Sequence, residues 1–176
     1  PLYHSTCGGK TEAASDVWGV NVFYLQSVTC PYDEDSPHHK QEMRFGIPDF
    51  AECLGLDASQ PITVDETVRN ESGRVVKVRI NGKEYSGTDL RSRLGLPSTN
   101  FQLNIGEQGV SIITRGYGHG VGMCQYGANG LAQNGRNYKQ IIKHYFKGVE
   151  VEHCQYRSLL MNTAQPGRIN ILKNAG

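Results

Sequence analysis

The sequence predicts an α+β fold, with a mixed sheet, helices and a small inserted α+β subdomain. A β-branched run at residues 75–80 precedes an Asn-Gly pair at 81–82, which is a strong signal for a two-residue β-hairpin turn. Residues 138–146 place their large apolar side chains on one face of a helix. Strand and helix signals therefore occur in the same chain, and short turns separate them.

The composition is that of a globular protein with a core. The chain has 176 residues, 38% of them hydrophobic, and its 18 Lys+Arg against 17 Asp+Glu leave a formal charge of +1. A net charge near zero gives no electrostatic reason to expect that the chain binds nucleic acid. No apolar run approaches the ~20 residues that a membrane span needs, so we expect no membrane contact from this segment.

Residues 43–104 are predicted to form the inserted subdomain. Pro48 is placed to open a helix that runs to residue 56. Thr88 is expected to cap a second helix, which Gly95 ends. Three strands are expected, at 62–68, 75–80 and 83–86. The apolar residues of this unit are explained by core packing and its charged residues by exposure to solvent, so we predict no catalytic or ligand-binding residues in it.

The flanking segments, 1–42 and 105–153, are predicted to form one domain around a site. Asn137 can cap the helix that begins at residue 138. The other expected elements are strands at 101–105 and 110–114, a helix over 122–133 and a last strand at 149–151. Residues 154–176 are polar and are expected to be a loosely held tail.

A glycine-rich turn contains the first candidate site residue. Glycines at 116, 118, 120 and 122 permit positive φ angles and close backbone approach around His119. A turn that enters a helix N-terminus suits a polar or anionic ligand oxygen, but the Lys-Ser/Thr ending of a Walker loop is absent. His119 either points into a cleft, which we favour, or bonds the backbone of a tight turn. Gln125 and Tyr126 either face the same cleft or pack.

A Cys/His set provides the second candidate site. The five cysteines are an odd number, so they cannot all pair within the chain. His4, Cys7, Cys30 and His38 supply the two thiolates and two imidazoles that make a tetrahedral Zn²⁺ site. The alternatives are a Cys7–Cys30 disulfide or loops without a ligand, and the fourth ligand is open between His38, His39 and Asp33. Cys53 is interpreted as core, and Cys124 as either reactive or, as we favour, packed.

Carboxylates are the third class of candidate, because glycoside cleavage needs a carboxylic acid with a raised pKa. Glu12, Asp16 and Glu42 lie near the first motif or follow it. None is a convincing acid, and each is predicted to be on the surface or in a supporting position.

Two blocks of this sequence resemble the stage II sporulation protein D (SpoIID/LytB) family. One is Tyr-His-Ser-Thr-Cys-Gly-Gly-Lys-Thr-Glu at 3–12, and the other is the block from Arg115 to Ala128 that contains the glycine-rich turn. Further similarity lies at 16–19, 24–25, 36–38 and 138–148, so the resemblance runs to about residue 150.

The resemblance implies a peptidoglycan lytic transglycosylase that cleaves bonds between N-acetylmuramic acid (MurNAc) and N-acetylglucosamine (GlcNAc) in strands stripped of stem peptides. The products have 1,6-anhydro ends, and the general-acid Glu of the family lies before the His-Ser-Thr block, so we expect it upstream of residue 1. The catalytic residue is thus not assigned here, and this segment alone is expected to have little or no activity. The substrate-binding residues implied are Ser5, Thr6, Lys10, Trp18, Arg115, His119, Gln125 and Tyr126. The resemblance also implies a zinc site that includes His4 and Cys7.

Two other functions stay open. The chain is either a glycan-binding module that activates amidases, as LytB-like members suggest, or a zinc hydrolase that acts on the cell wall with a metal-activated water. The partners expected are glycan strands and other cell-wall hydrolases, in an extracytoplasmic location at the cell envelope.

Overall fold

A computed structural model describes residues 2–153 and 168–171, and these residues confirm the α+β class. The helices are α1 (Ala14–Trp18), α2 (Ile47–Leu54), α3 (Gly87–Arg93), α4 (Gln125–Gln133) and α5 (Tyr138–Tyr145). The strands are β1 (Tyr3–His4), β2 (Gln41–Phe45), β3 (Val64–Arg69), β4 (Val75–Ile80), β5 (Lys83–Ser86), β6 (Phe101–Gly106), β7 (Gly109–Thr114), β8 (Met123–Cys124), β9 (Glu150–His153) and β10 (Arg168–Ile171). Within the described ranges, every helix is too short or too polar to cross a membrane.

The strands form four small sheets. Strands β2, β7 and β6 make one antiparallel sheet, and β3, β4 and β5 make another. The pairs β1–β8 and β9–β10 are parallel. The hairpin prediction is confirmed, because β4 and β5 flank a turn in which Asn81 and Gly82 have φ angles of 48° and 73°.

Three helices begin at positions that differ from the prediction, and α2 begins at Ile47, one residue before Pro48. Helix α3 begins at Gly87 because the side chain of Ser86, not Thr88, accepts the Asp89 N–H. Helix α4 begins three residues later than expected, because Met123 and Cys124 pair with β1 as a strand. The cap of α5 is as predicted: Asn137 and Gln140 form a reciprocal capping box.

Two separate apolar clusters divide the described chain. The first lies around the two antiparallel sheets and includes Phe50, Leu90, Val110 and Ile112. The second includes Val121 and Tyr145, together with buried cysteines from three distant segments. Because β7 packs in the first cluster, we propose that the inserted unit extends through β7, past the boundary at residue 104 expected from the sequence. The predicted tail, 154–176, lies outside the described residues except for β10.

Candidate functional site

The N-terminal segment lies along the glycine-rich turn and forms one side of the candidate site. Thr6 and Tyr117 exchange backbone hydrogen bonds of 3.3 and 2.8 Å, and the Glu12 N–H donates to the Gly120 carbonyl at 2.8 Å. Strand β1 pairs with β8 just beyond the turn. The two motifs, more than a hundred residues apart in sequence, are therefore neighbours in space.

The glycines make this close approach possible. All four glycines of the turn have positive φ, as predicted, with Gly116 at 83° and Gly122 at 80°. A Cβ atom at Gly116 would lie 2.8 Å from the Thr6 carbonyl oxygen, and one at Gly122 would collide with the Leu2 carbonyl. Any larger residue at either position would push the two motifs apart.

His119 combines the two arrangements that the sequence left open. Its Nδ1 accepts the Val121 N–H at 3.0 Å, so the ring is held by backbone. The ring also lies 5.4 Å from the Trp18 ring and 5.7 Å from the His4 ring. Burial lowers the pKa of His119, and the neighbouring His4 adds to the effect. Trp18, which is 46% exposed, extends this surface into solvent.

A cleft lies where this surface meets the inserted unit. It has a volume of about 170 Å³, and it is lined by His119 and Asp16 on one side and by Arg91 and Thr99 on the other. Arg91 also lines a neighbouring cavity of about 370 Å³, whose wall includes His38 and Tyr117. Charged and aromatic side chains therefore follow the seam between the two units, although the sequence predicted no chemistry in the inserted one.

Glu12 is buried in this seam, so of its two predicted placements, the surface or a supporting position, the structure excludes the surface. It is 2% exposed, and its Oε1 lies 3.6 Å from Nε of Arg74, which is equally buried. Asn70 donates to Glu12 Oε2 at 2.8 Å, and the Ser72 hydroxyl donates to Oε1. Burial raises the pKa of Glu12, against the opposing effect of Arg74. The other two candidate carboxylates, Asp16 and Glu42, are exposed.

The predicted sugar-binding residues do not all reach this cleft. Thr6 is fully buried and its hydroxyl lies 2.5 Å from that of Ser36, so its assignment to the cleft wall was wrong. Lys10 donates to the Glu71 carbonyl at 3.2 Å, and Arg115 lines a different cavity. Ser5 and Tyr126 are half-buried and adjacent, with a 3.2 Å backbone hydrogen bond, and Gln125 is exposed.

A buried cluster of thiols lies beneath the N-terminal segment. Cys7, Cys30, Asp33 and Cys124 present their ligand atoms within 4.8 Å of one another, and all four residues are buried. Cys7, Cys30, Cys53 and Cys124 are free thiols, so the disulfide alternative is not the state in this structure. We refer to Cys7, Cys30, Asp33 and Cys124 as the thiol cluster.

The thiol cluster differs from the predicted ligand set in two members. His4 is not one of these four residues, although its Nδ1 bonds the Val121 carbonyl at 3.2 Å and its Nε2 is buried without a hydrogen-bond partner. His38 is also outside the group, and its ring lies against Tyr117 with the ring centroids 4.5 Å apart. Asp33, an open alternative in the sequence, takes one place. Cys124 takes the other, and its full burial within the second cluster agrees with its predicted packing. The sequence signal for this contact is Gly127, three residues after Cys124. A Cβ at Gly127 would collide with the Cys30 sulfur and the Tyr145 hydroxyl, so only glycine leaves room for them.

The chemistry of the thiol cluster fits a metal such as Zn²⁺. Asp33 Oδ2 accepts the Cys7 thiol at 3.1 Å and the Gly8 N–H at 2.6 Å, and its Oδ1 lies 3.3 Å from His39 Nδ1. The pKa of Cys7 is raised and that of Cys124 is lowered, because the thiols share hydrogen bonds at close range. Three sulfurs and one carboxylate oxygen suit tetrahedral Zn²⁺, and Asp33 is oriented by its own hydrogen-bond partners.

Comparisons with known proteins agree with the two motifs. The chain is 39% identical over 153 residues to stage II sporulation protein D of Bacillus amyloliquefaciens, which covers 86% of this chain and 44% of that protein. It is 37% identical to the protein of the same name from Bacillus subtilis strain 168, over 86% of this chain and 45% of that protein. An 84-residue stretch, 46% of this chain, is 32% identical to 12% of the B. subtilis amidase enhancer. The chain thus spans less than half the length of the first two relatives. No family model matches it.

Proposed function

Because the chain belongs to the stage II sporulation protein D family, we propose that it is part of a cell-wall lytic transglycosylase and supplies its glycan-binding surface. The substrate is a glycan strand without stem peptides, cleaved between MurNAc and GlcNAc. In this reaction a carboxylic acid protonates the glycosidic oxygen while the muramyl 6-hydroxyl bonds to C1. The hydroxyl proton returns to the carboxylate, so no water is consumed. We expect the acid outside this chain.

The observation that supports the proposal most is the ring pair of Trp18 and His119, of which His119 lines the cleft. Aromatic faces with nearby polar groups are suited to sugar rings, which present apolar C–H faces and hydroxyl edges. Asp16 and Arg91, on opposite walls, can accept from and donate to those hydroxyls. Because the Val121 N–H already occupies His119 Nδ1, we assign this ring to positioning the sugar.

We propose that the thiol cluster holds Zn²⁺ through Cys7, Cys30, Asp33 and Cys124. A catalytic zinc keeps one coordination position open for water, and four protein ligands leave none open. A zinc ion held by this set would therefore cross-link the fold and have a structural role. The cluster would join the N-terminal segment to α4 beneath the cleft. This ligand set therefore disfavours the zinc-hydrolase alternative.

The test of glycan binding is co-sedimentation of the 176-residue chain with purified peptidoglycan stripped of stem peptides. We expect the chain to sediment with the glycan and Trp18→Ala to lose most of that binding. Tyr138→Ala is the matched control, because Tyr138 is also an exposed aromatic residue but lies at the start of α5. Equal binding by Trp18→Ala and the parent chain would contradict the proposal.

The test of the reaction is release of anhydro-sugar products from the same glycan. A longer protein that includes the upstream segment is expected to release them, and residues 1–176 alone are expected to release little. Robust release by residues 1–176 would contradict the upstream acid and direct attention to Glu12 or Glu42.

The similarity to an amidase enhancer favours a second candidate, a non-catalytic glycan-binding module that stimulates a cell-wall amidase. Both candidates place the chain outside the cytoplasm at the cell envelope. The two candidates differ in their products. If a longer protein forms no anhydro ends but accelerates the release of stem peptides by an added amidase, only the second candidate fits.

A further inference from the structure

A third cavity, at the edge of the β2–β7–β6 sheet, is lined by cations. Its volume is about 540 Å³, and Lys40, Arg69 and Arg115 lie around it with the side-chain amides of Asn100 and Gln102. Among the described residues that line it, none is acidic. We propose that this cavity, the cationic cavity, binds the carboxylate of a muramyl sugar in the glycan strand. The inference deepens the proposed function and rests on its glycan substrate.

Arg69 is the fixed member of the three cations. It donates from Nη1 to the Gly73 carbonyl at 2.8 Å and from Nη2 to the Phe101 carbonyl at 2.6 Å. Burial lowers the pKa of Arg69, but a guanidinium stays charged in proteins. These two bonds use two of its five N–H donors, so a rigid, charged donor group remains available to a ligand.

Arg115 has a fixed backbone and a free side chain. Its N–H donates to the Asn100 carbonyl at 2.8 Å, and its carbonyl accepts the Ser98 hydroxyl at 2.5 Å. A Cβ at Gly8 would lie 3.0 Å from the Arg115 carbonyl carbon, so the N-terminal segment packs directly on this backbone. The exposed guanidinium forms no ion pair with any residue in the described ranges, and neither does Lys40.

The three cations around this cavity repel one another weakly in water, and a bound anion would relieve that repulsion. The whole chain has a formal charge of only +1, so a surplus of basic residues does not explain this concentration. Arginine forks match the two oxygens of a carboxylate, and flanking amides can bond the neighbouring hydroxyl or N-acetyl groups. A GlcNAc unit has no carboxylate, whereas a MurNAc without its stem peptide has one.

The position of the cationic cavity connects it to the candidate site. Arg115 directly precedes Gly116, whose N–H donates to the His38 carbonyl at 3.0 Å. Arg115 therefore faces the cationic cavity at the first residue of the block that also carries His119. A strand bound at Trp18 that extends over the N-terminal segment would bring a later MurNAc toward Arg115.

The test is NMR titration of the 176-residue chain with three probes: free MurNAc, its carboxyl methyl ester, and sn-glycerol 3-phosphate. We expect free MurNAc to shift the Arg69 and Arg115 side-chain signals and the amides of residues 100–102. Arg115→Gln and Lys40→Gln should each weaken its affinity about tenfold. Arg136→Gln is the control, because Arg136 is exposed and lines a cavity away from these residues.

Three results would overturn the inference: no shifts at Arg69 and Arg115, equal affinity for the methyl ester, or tighter binding of the phosphate than of MurNAc. A parallel titration with a neutral GlcNAc oligomer separates this inference from the proposed function. If the oligomer binds at Trp18 but the MurNAc carboxylate does not bind at Arg115, only the proposed role of the cationic cavity is rejected. Loss of oligomer binding itself rejects the glycan surface.

Discussion

The two units of the molecule are stabilised in different ways. The unit around β2–β7–β6 and β3–β4–β5 has a core of aliphatic and aromatic side chains such as Phe50 and Leu90. The unit that contains the glycine-rich turn buries three thiols and polar side chains such as Glu12, Asp33 and Thr6. The first unit therefore depends on apolar packing, whereas the second depends on specific polar partners and on backbone contacts that only glycine allows.

The largest expected effect is loss of the thiol cluster. We predict that Cys30→Ser abolishes stoichiometric zinc and lowers the free energy of unfolding by about 4 kcal/mol, because it removes a ligand and leaves the other groups buried without it. Zinc content by atomic emission and thermal unfolding before and after chelation provide the measurement.

Cys53→Ser is the matched control, since Cys53 packs only at the margin of the first cluster. It should keep full zinc content and lose far less stability. Full zinc content in Cys30→Ser would contradict the assigned ligand set.

The next effect concerns the buried pair between the units. Arg74→Met should lower the free energy of unfolding by about 3 kcal/mol, because Glu12 then keeps a buried charge without its cation. It also removes the 3.1 Å hydrogen bond from Arg74 to the Cys7 carbonyl. The control is Arg79→Met, whose ion pairs with Glu66 and Glu84 are exposed and worth less than about 1 kcal/mol. Equal losses in urea unfolding would show that the seam is not held by this pair.

A single methyl group provides a sharper comparison of the two units. Gly127→Ala adds one methyl against the Cys30 sulfur and Tyr145, and should cost about 2 kcal/mol and reduce zinc content. Ile112→Val removes one methyl from the first core and should cost about 1 kcal/mol with zinc content unchanged. Unchanged stability and zinc in Gly127→Ala would mean that the second core is not tightly packed.

These contrasts also explain what could be predicted from the sequence. In the inserted unit, neighbouring residues determine the structure, and the hairpin at Asn81-Gly82 and the strand at 75–80 were predicted correctly. The cap of α5 was also local, and Asn137 identified it. Elements that depend on partners far along the chain were less predictable: the strand at Met123–Cys124 exists only because β1 pairs with it, and it delays the start of α4.

The candidate site was predicted in part for the same reason. The positive φ angles of the turn glycines follow from the sequence, whereas the sugar-binding roles of His119 and Trp18 were implied by the family resemblance and stay predictions. The role of Cys124 and the burial of Glu12 depend on segments that meet only in the folded chain, since Asn70, Ser72 and Arg74 all come from the inserted unit. No spacing within the sequence identifies such contacts.

The smallest expected effect is a pH dependence. The pKa of Glu12 is raised above its ordinary value of about 4.5, so the folded protein binds this proton more tightly than the unfolded chain does. The stabilisation is thus present below about pH 4.5 and is lost as the pH rises through the folded pKa. The difference in unfolding free energy between the parent chain and Glu12→Gln should therefore shrink as pH rises above 4.5. Urea unfolding at a series of pH values measures it, and a constant difference would contradict the burial effect.

The most direct test of the account is a residue-resolved map of where a glycan oligosaccharide binds. In an NMR titration with a GlcNAc-MurNAc oligomer, we predict the largest shifts at the Trp18 indole, at His119 and along the seam near Arg91. Shifts confined to a distant surface, such as the start of α5 around Tyr138, would contradict the assignment of a sugar-binding site between the two units.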